Sequence, residues 1–216
     1  MRRFQNLLFD LDGTLIDHFE VIYRAYLHVQ ERLGLPLASF ETVLRAVGGS
    51  IPVTLGRLIG EDRVEEALPI WREYFNAIML EKIEVLPGVE EALAQFASEG
   101  YRMAVFTNKD GPAARRIIEH LNWTDYFERV VGATDTPWRK PERAFSEWML
   151  RELDADPKET LMVGDSTFDI EAGKVGGMTV YAVATGSHRA EELREAAADD
   201  VFGDFFELAR RIRGNP

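Results

Sequence analysis

Asp10 and Asp12 stand two residues apart in Phe9-Asp10-Leu11-Asp12-Gly13-Thr14-Leu15-Ile16-Asp17, directly behind the apolar run Leu7-Leu8. A turn beginning at Leu11 can bring both carboxylates into one crevice, and ligands of open α/β sheets bind at the carboxyl ends of strands. Taken alone, the pair describes no more than a strand ended by the turn-favouring residues Asp and Gly. Three later segments change that: Val105-Phe106-Thr107-Asn108, Trp138-Arg139-Lys140-Pro141, and Val163-Gly164-Asp165-Ser166-Thr167-Phe168-Asp169-Ile170. Each places a hydroxyl, amide, cation or carboxylate just beyond a short apolar run. Spacing of four brings Asp165 near Asp169 if a helical turn begins there.

The chemistry that needs such a set is phosphoryl transfer. A carboxylate can attack phosphorus and form an aspartyl phosphate, dividing a hard hydrolysis into two easier steps. A hard cation such as Mg²⁺, held by one or two carboxylates and the substrate phosphate, offsets repulsion between nucleophile and dianion. Thr107, Asn108 and Lys140 supply hydroxyl, amide and ammonium donors for the transferring oxygens. A second carboxyl is needed to protonate the leaving alkoxide. Two unit charges about 4 Å apart repel by roughly 4 kcal/mol at intermediate dielectric. Clustered aspartates therefore shift upward in pKa unless a cation compensates them.

The elements that must position these residues are legible as short apolar runs: Leu7–Phe9, Met103–Phe106, Val130–Val131, Leu161–Val163 and Val180–Val183. Helix-like stretches separate them, including Val89–Ser98, Ala113–His120 and Glu142–Leu153, with Pro141 suited to the first turn of the last. The alternation predicts an α/β fold with a Rossmann-like, doubly wound parallel sheet. From about Asp17 to Glu84 the rhythm breaks into helices without a convincing strand. Val21, Tyr26 and Val29 share an apolar side in the first, and Trp71, Phe75 and Ile78 fall at helical spacing in the last. The expected organisation is a catalytic core of residues 1–16 and 86–216, with a helical insertion over 17–85 that returns at a hinge, Leu86-Pro87-Gly88.

Composition narrows the function classes. The 37 acidic against 25 basic residues, a formal net charge of −12, disfavour a nucleic-acid partner. No cysteine is present, so disulfides and thiolate chemistry are excluded. The apolar stretch after Met1-Arg2-Arg3-Phe4 ends at Asp10, too short for a signal sequence, and no run approaches a membrane span; the cytoplasm is the default expectation.

Together, Asp10-Leu11-Asp12-Gly13-Thr14, Thr107-Asn108, Lys140-Pro141 and Gly164-Asp165-Ser166-Thr167-Phe168-Asp169 resemble the four motifs of the haloacid dehalogenase-like hydrolases, specifically the phosphoglycolate-phosphatase-like branch. The resemblance implies a Mg²⁺-dependent phosphatase acting on a small phosphorylated metabolite, with a helical cap inserted after the first strand. Asp10 is implied as nucleophile and Asp12 as general acid/base, its backbone carbonyl also reaching the metal. Thr107, the Asn108 backbone N–H and Lys140 are implied as phosphate ligands. Asp165 is implied as a direct metal ligand, and Asp169 as metal-linked through water or paired with Lys140.

Phosphoglycolate is the substrate the resemblance suggests, with sugar phosphates, nucleoside monophosphates and pyrophosphate open. A mutase resembling β-phosphoglucomutase is disfavoured, because no cation follows Gly48-Gly49-Ser50 until Arg57. A non-catalytic phosphate-binding module would need no Asp12. Trp138 and Arg139 either touch substrate or, more simply, Trp138 packs under the helical insertion and Arg139 is solvated. The four histidines show no metal-ligand spacing, and His18 reads as structural. Lys109 and Arg102 read as surface charges, and Gly173-Lys174-Val175-Gly176-Gly177 as a helix end rather than a phosphate loop. Oligomeric state is not legible.

Overall fold

In the computed structural model, which describes residues 3–214, six parallel strands form one sheet in the order β5-β4-β1-β6-β7-β8. Met1 and Arg2 of the basic start lie outside the described residues. The strands are β1 (Asn6–Phe9), β4 (Arg102–Phe106), β5 (Arg129–Val131), β6 (Thr160–Gly164), β7 (Thr179–Val183) and β8 (Asp200–Phe202). Strand alternation divides the core between two faces. Leu7 and Phe9 of β1 join Met103, Val105, Leu161 and Val163 on one face; Leu8, Ala104, Phe106 and Met162 pack on the other. Helices α5 (Val89–Ser98), α6 (Gly111–His120) and α10 (Phe205–Ile212) contribute to the first face, and α7 (Arg143–Glu152), α8 (Thr167–Val175) and α9 (Ala190–Glu195) to the second. Both faces are covered, which is why the strands read as continuous apolar runs.

Between β1 and β4 the chain leaves the sheet. Four helices, α1 (Phe19–Arg32), α2 (Phe40–Ala46), α3 (Ile51–Ile59) and α4 (Val64–Ile78), enclose a third apolar cluster. Val21, Tyr26 and Val29 of α1 are buried in it, as are Trp71, Phe75 and Ile78 of α4. Ser39 caps α2 by accepting from the Thr42 N–H. Among the described residues, no helix is long and apolar enough to cross a membrane.

Several expectations are corrected. The helical stretch is bounded by a two-stranded antiparallel ribbon, β2 (Ile16–Asp17) with β3 (Glu84–Val85), where no strand was expected. Two-residue strands carry no periodicity, so no pattern could reveal them. Pro141 lies before Glu142, the N-cap of α7, rather than within its first turn. Helix α6 starts two residues early, at Gly111, with Pro112 in its first turn. Strand β8 and α10 extend the fold beyond the last apolar run the sequence made evident.

Candidate active site

The turn after β1 builds the crevice. The Leu11 carbonyl accepts from the amides of Thr14, Leu15 and Ile16, folding the chain back at once. Gly13 has φ +84°, and a Cβ there would lie 2.7 Å from the Asp165 carboxyl carbon. Only glycine serves both the left-handed backbone and the close approach. Because β1 lies between β4 and β6, the ends of three adjacent strands bring Asp10, Thr107 and Asp165 together.

Carboxylate oxygens of Asp10, Asp165 and Asp169 lie within 4.8 Å of one another. The Lys140 ammonium joins them, donating to Asp10 Oδ1 (3.0 Å), Asp169 Oδ1 (2.5 Å) and the Phe106 carbonyl (2.8 Å). All three of its protons are thereby used, and Lys140 is buried. Burial works against its charge, but Asp10 and Asp169 outweigh that and hold its pKa above the ordinary lysine value. The other oxygen of Asp169, Oδ2, accepts from the Ser166 N–H and hydroxyl at the start of α8. Asp169 is thus paired with Lys140, one of the two roles expected of it. Asp165 Oδ2 accepts from the Ser187 N–H at 2.8 Å, and Oδ1 from the Thr14 hydroxyl at 3.3 Å.

The electrostatics of this cluster call for a cation. Burial pushes Asp10 up to about 6, with Lys140 opposing and Asp169 reinforcing. Burial, and then the charges of Asp169 and Asp10, raise Asp165 well above the carboxylate range. Oxygen donors of this kind suit a hard divalent ion. Asp10 and Asp165 fit direct ligation, whereas Oδ1 of Asp169 is held by the Lys140 ammonium and Oδ2 by Ser166.

Asp12 is turned away from that cluster. Its oxygens lie 3.0 and 2.8 Å from the Lys109 ammonium, and Oδ1 lies 3.6 Å from His18 Nδ1. Burial would raise Asp12, but Lys109 and His18 prevail and hold it well below the usual carboxylate range. Burial, followed by the Lys109 charge, lowers His18. The expectation that Lys109 is a surface charge is therefore wrong: its side chain is 6% exposed and its ammonium lies over the Phe75 ring. Lys109 directly follows Thr107-Asn108 on the same strand-end loop, which was the signal available for finding it. Ser187, on the loop after β7, had no comparable signal. Arg102 is half-exposed on Glu128, as expected of a surface charge.

Thr107 is buried, its hydroxyl accepting from the Lys109 N–H. The Asn108 side chain is committed elsewhere: Oδ1 accepts from the Lys140 N–H, and Nδ2 donates to the carbonyls of Lys140 and Gly48. That corrects the reading of its side-chain amide as a phosphate donor and leaves the backbone N–H for that task. Arg139 is exposed, as its solvated reading expects; Trp138 packs against the sheet's second face rather than under the insertion, which corrects the place expected for it.

Residues 7–183 match the family model described as haloacid dehalogenase-like hydrolase. The chain belongs to the haloacid dehalogenase-like hydrolases. Within this family it is 32% identical over 209 residues, 96% of this chain and 94% of the other, to "Putative pyrophosphatase PpaX" of Caldanaerobacter subterraneus subsp. tengcongensis. It is 30% identical to the phosphoglycolate phosphatase of Vibrio parahaemolyticus, covering 94% of this chain and 93% of that one. Among solved structures, a predicted phosphoglycolate phosphatase from Haemophilus somnus 129PT superposes with a TM-score of 0.91 at 25% identity, over 98% of this chain and 99% of that one. The six-stranded parallel sheet with its helical insertion is the architecture shared with that structure.

Proposed function

We propose that the protein is a Mg²⁺-dependent phosphomonoester hydrolase working through a phosphorylated Asp10. The observation that carries this reading is the separation of two carboxylate environments: Asp10 among Asp165, Asp169 and Lys140, and Asp12 apart with Lys109. Separate environments give separate roles.

An Asp10 oxygen attacks phosphorus, forming the Asp10–phosphorus bond as the bond to the leaving oxygen breaks. Lys140, the Thr107 hydroxyl and the Asn108 backbone N–H stabilise charge on the transferring oxygens. Asp12 delivers a proton to the departing alkoxide, then as carboxylate removes one from the water that cleaves the phosphoaspartate and restores Asp10. The substrate-free arrangement suits the second role, since Lys109 keeps Asp12 ionised. Arrival of a phosphoryl dianion favours proton uptake at Asp12 and prepares the first. Asp10 and Asp165, with the Asp12 carbonyl, would hold Mg²⁺, which supplies charge neutralisation between nucleophile and phosphate. Asp169 would act on the metal side through water or, as its contacts favour, through Lys140. Residues 17–85 would act as the cap over a core of 1–16 and 86–216.

The relatives' names make phosphoglycolate the first substrate to assay, with other small phosphorylated metabolites beside it. Orthophosphate should be released from an aryl phosphate with Mg²⁺, stop on chelation and return on Mg²⁺ addition. Ca²⁺ should restore it poorly, because its looser coordination misplaces the attack. Asp10→Asn should abolish release; a variant as active as the parent would remove Asp10 from the nucleophile's role.

A further inference from the structure

A cavity of about 60 Å³ lies between the sheet end and the insertion, with Asp10, Asp12 and Thr107 on its core side. By the usual measure that is room for on the order of four to six waters, so a phosphoryl group and a short leaving group fill it. The opposite wall is Phe19, Ile22, Tyr26, Ile51, Trp71 and Phe75, all from the insertion. Trp71 and Phe75 stack at 4.4 Å, and Tyr26 leans on Trp71 at 5.5 Å, so the wall is packed rather than fluid.

No cation on that wall meets the cavity among the described residues. The insertion's arginines nearest the site are engaged elsewhere: Arg45 with Glu192 and the Ser187 carbonyl, Arg57 with the Ala46 carbonyl and the Phe168 ring, Arg72 with Asp110. Lys109 is the one cation among the described lining residues, and it compensates Asp12. Asp110 adds a further carboxylate to the lining. The phosphoryl dianion would be met by Lys140 and by a metal that Asp10 and Asp165 would hold. A second anion on the leaving group finds no free cation; the wall offers it only neutral donors, the unpartnered Trp71 indole N–H and the Tyr26 and Thr54 hydroxyls, which do not offset the cost of burying a charge beside aromatic carbon.

We infer that the preferred substrate is a phosphomonoester of a compact, uncharged, mainly aliphatic alcohol, rather than one whose leaving group carries a carboxylate or a second phosphate. This rests on the phosphatase reading above and specifies its substrate class.

Isobutyl phosphate and 2-phosphoglycolate test it on the unaltered, Mg²⁺-supplemented protein, because their leaving groups match in shape and differ in charge. The expected kcat/KM, followed by released orthophosphate, is at least about tenfold higher for isobutyl phosphate. Phosphoglycolate equal or better would overturn the inference and leave the phosphatase reading standing. No orthophosphate from either ester or from an aryl phosphate would overturn both. In Val47→Arg, which sets a guanidinium at the half-buried edge of the cavity, the ratio should fall at least about threefold in favour of phosphoglycolate. A folded variant with the parent's ratio would overturn the wall as the source of discrimination.

Discussion

Two ammonium groups divide the site's carboxylates: Lys140 serves Asp10 and Asp169, and Lys109 serves Asp12. Each is buried, so removing it strands anions where water cannot reach them. Lys140→Met should destabilise the metal-free fold by about 3–5 kcal/mol in urea unfolding. Lys109→Met should leave Asp12 with His18 alone and freer to change rotamer, lowering kcat by about 10²-fold with KM little altered. Steady-state kinetics would check it; an unchanged kcat would make Lys109 a packing residue. At this scale the sequence was legible in which residues meet: it grouped Asp10, Asp165 and Lys140, and the fold brings them together. Lys109 was missed because a lysine beyond a strand end is usually solvated, and its partner lies 97 positions away. The bracing role of the Asn108 side chain was hidden for the converse reason, since an amide beside a phosphate site is equally able to donate to the phosphate.

Among the elements, α2 and α9 are tied by Arg45 to Glu192, and α4 to the start of α6 by Arg72 to Asp110. Both pairs bridge the insertion and the core, and their arginines are 39% and 42% exposed. Such pairs contribute little stability, below about 1 kcal/mol. Arg45→Ala should therefore leave Tm nearly unchanged but raise KM several-fold by loosening the insertion over the cavity. The wild-type KM should rise with salt in the same direction. Were KM insensitive to both, the pair would have no part in enclosing substrate. The sheet strands and α1 and α4 were readable because burial imposes periodicity on long segments. The ribbon β2–β3 was not: its two-residue strands are fixed by the chain's exit and return, a tertiary constraint without local pattern.

For the molecule as a whole, the acidic cluster links stability to pH and metal. Asp10, raised to about 6, contributes stability that is complete below the ordinary carboxylate pKa and lost as pH rises through about 6. Asp165 acts in the same direction. Asp12, held low, loses its contribution only in strong acid and stays constant above pH 5. His18, lowered, works oppositely to Asp10 as pH falls below its unfolded value, but equally with and without metal. The Tm increase on adding Mg²⁺ should consequently be larger at pH 7.5 than at pH 5, measured by scanning calorimetry. Equal increments would detach the metal from Asp10 and Asp165. The convergence of the distant segments was legible because those of Asp10, Thr107 and Asp165 end apolar runs at the same edge of one sheet, with Lys140 on the loop between β5 and α7, whereas the wall facing them depends on how four helices pack. One bond set carries this further. The first turn of α8 is capped by the same Asp169 that grips Lys140, so fraying there removes one of the lysine's three acceptors while the sheet still stands. Warming should therefore lower turnover several degrees before the protein melts, and Ser166→Ala, which removes the hydroxyl's bond to Asp169, should widen that gap.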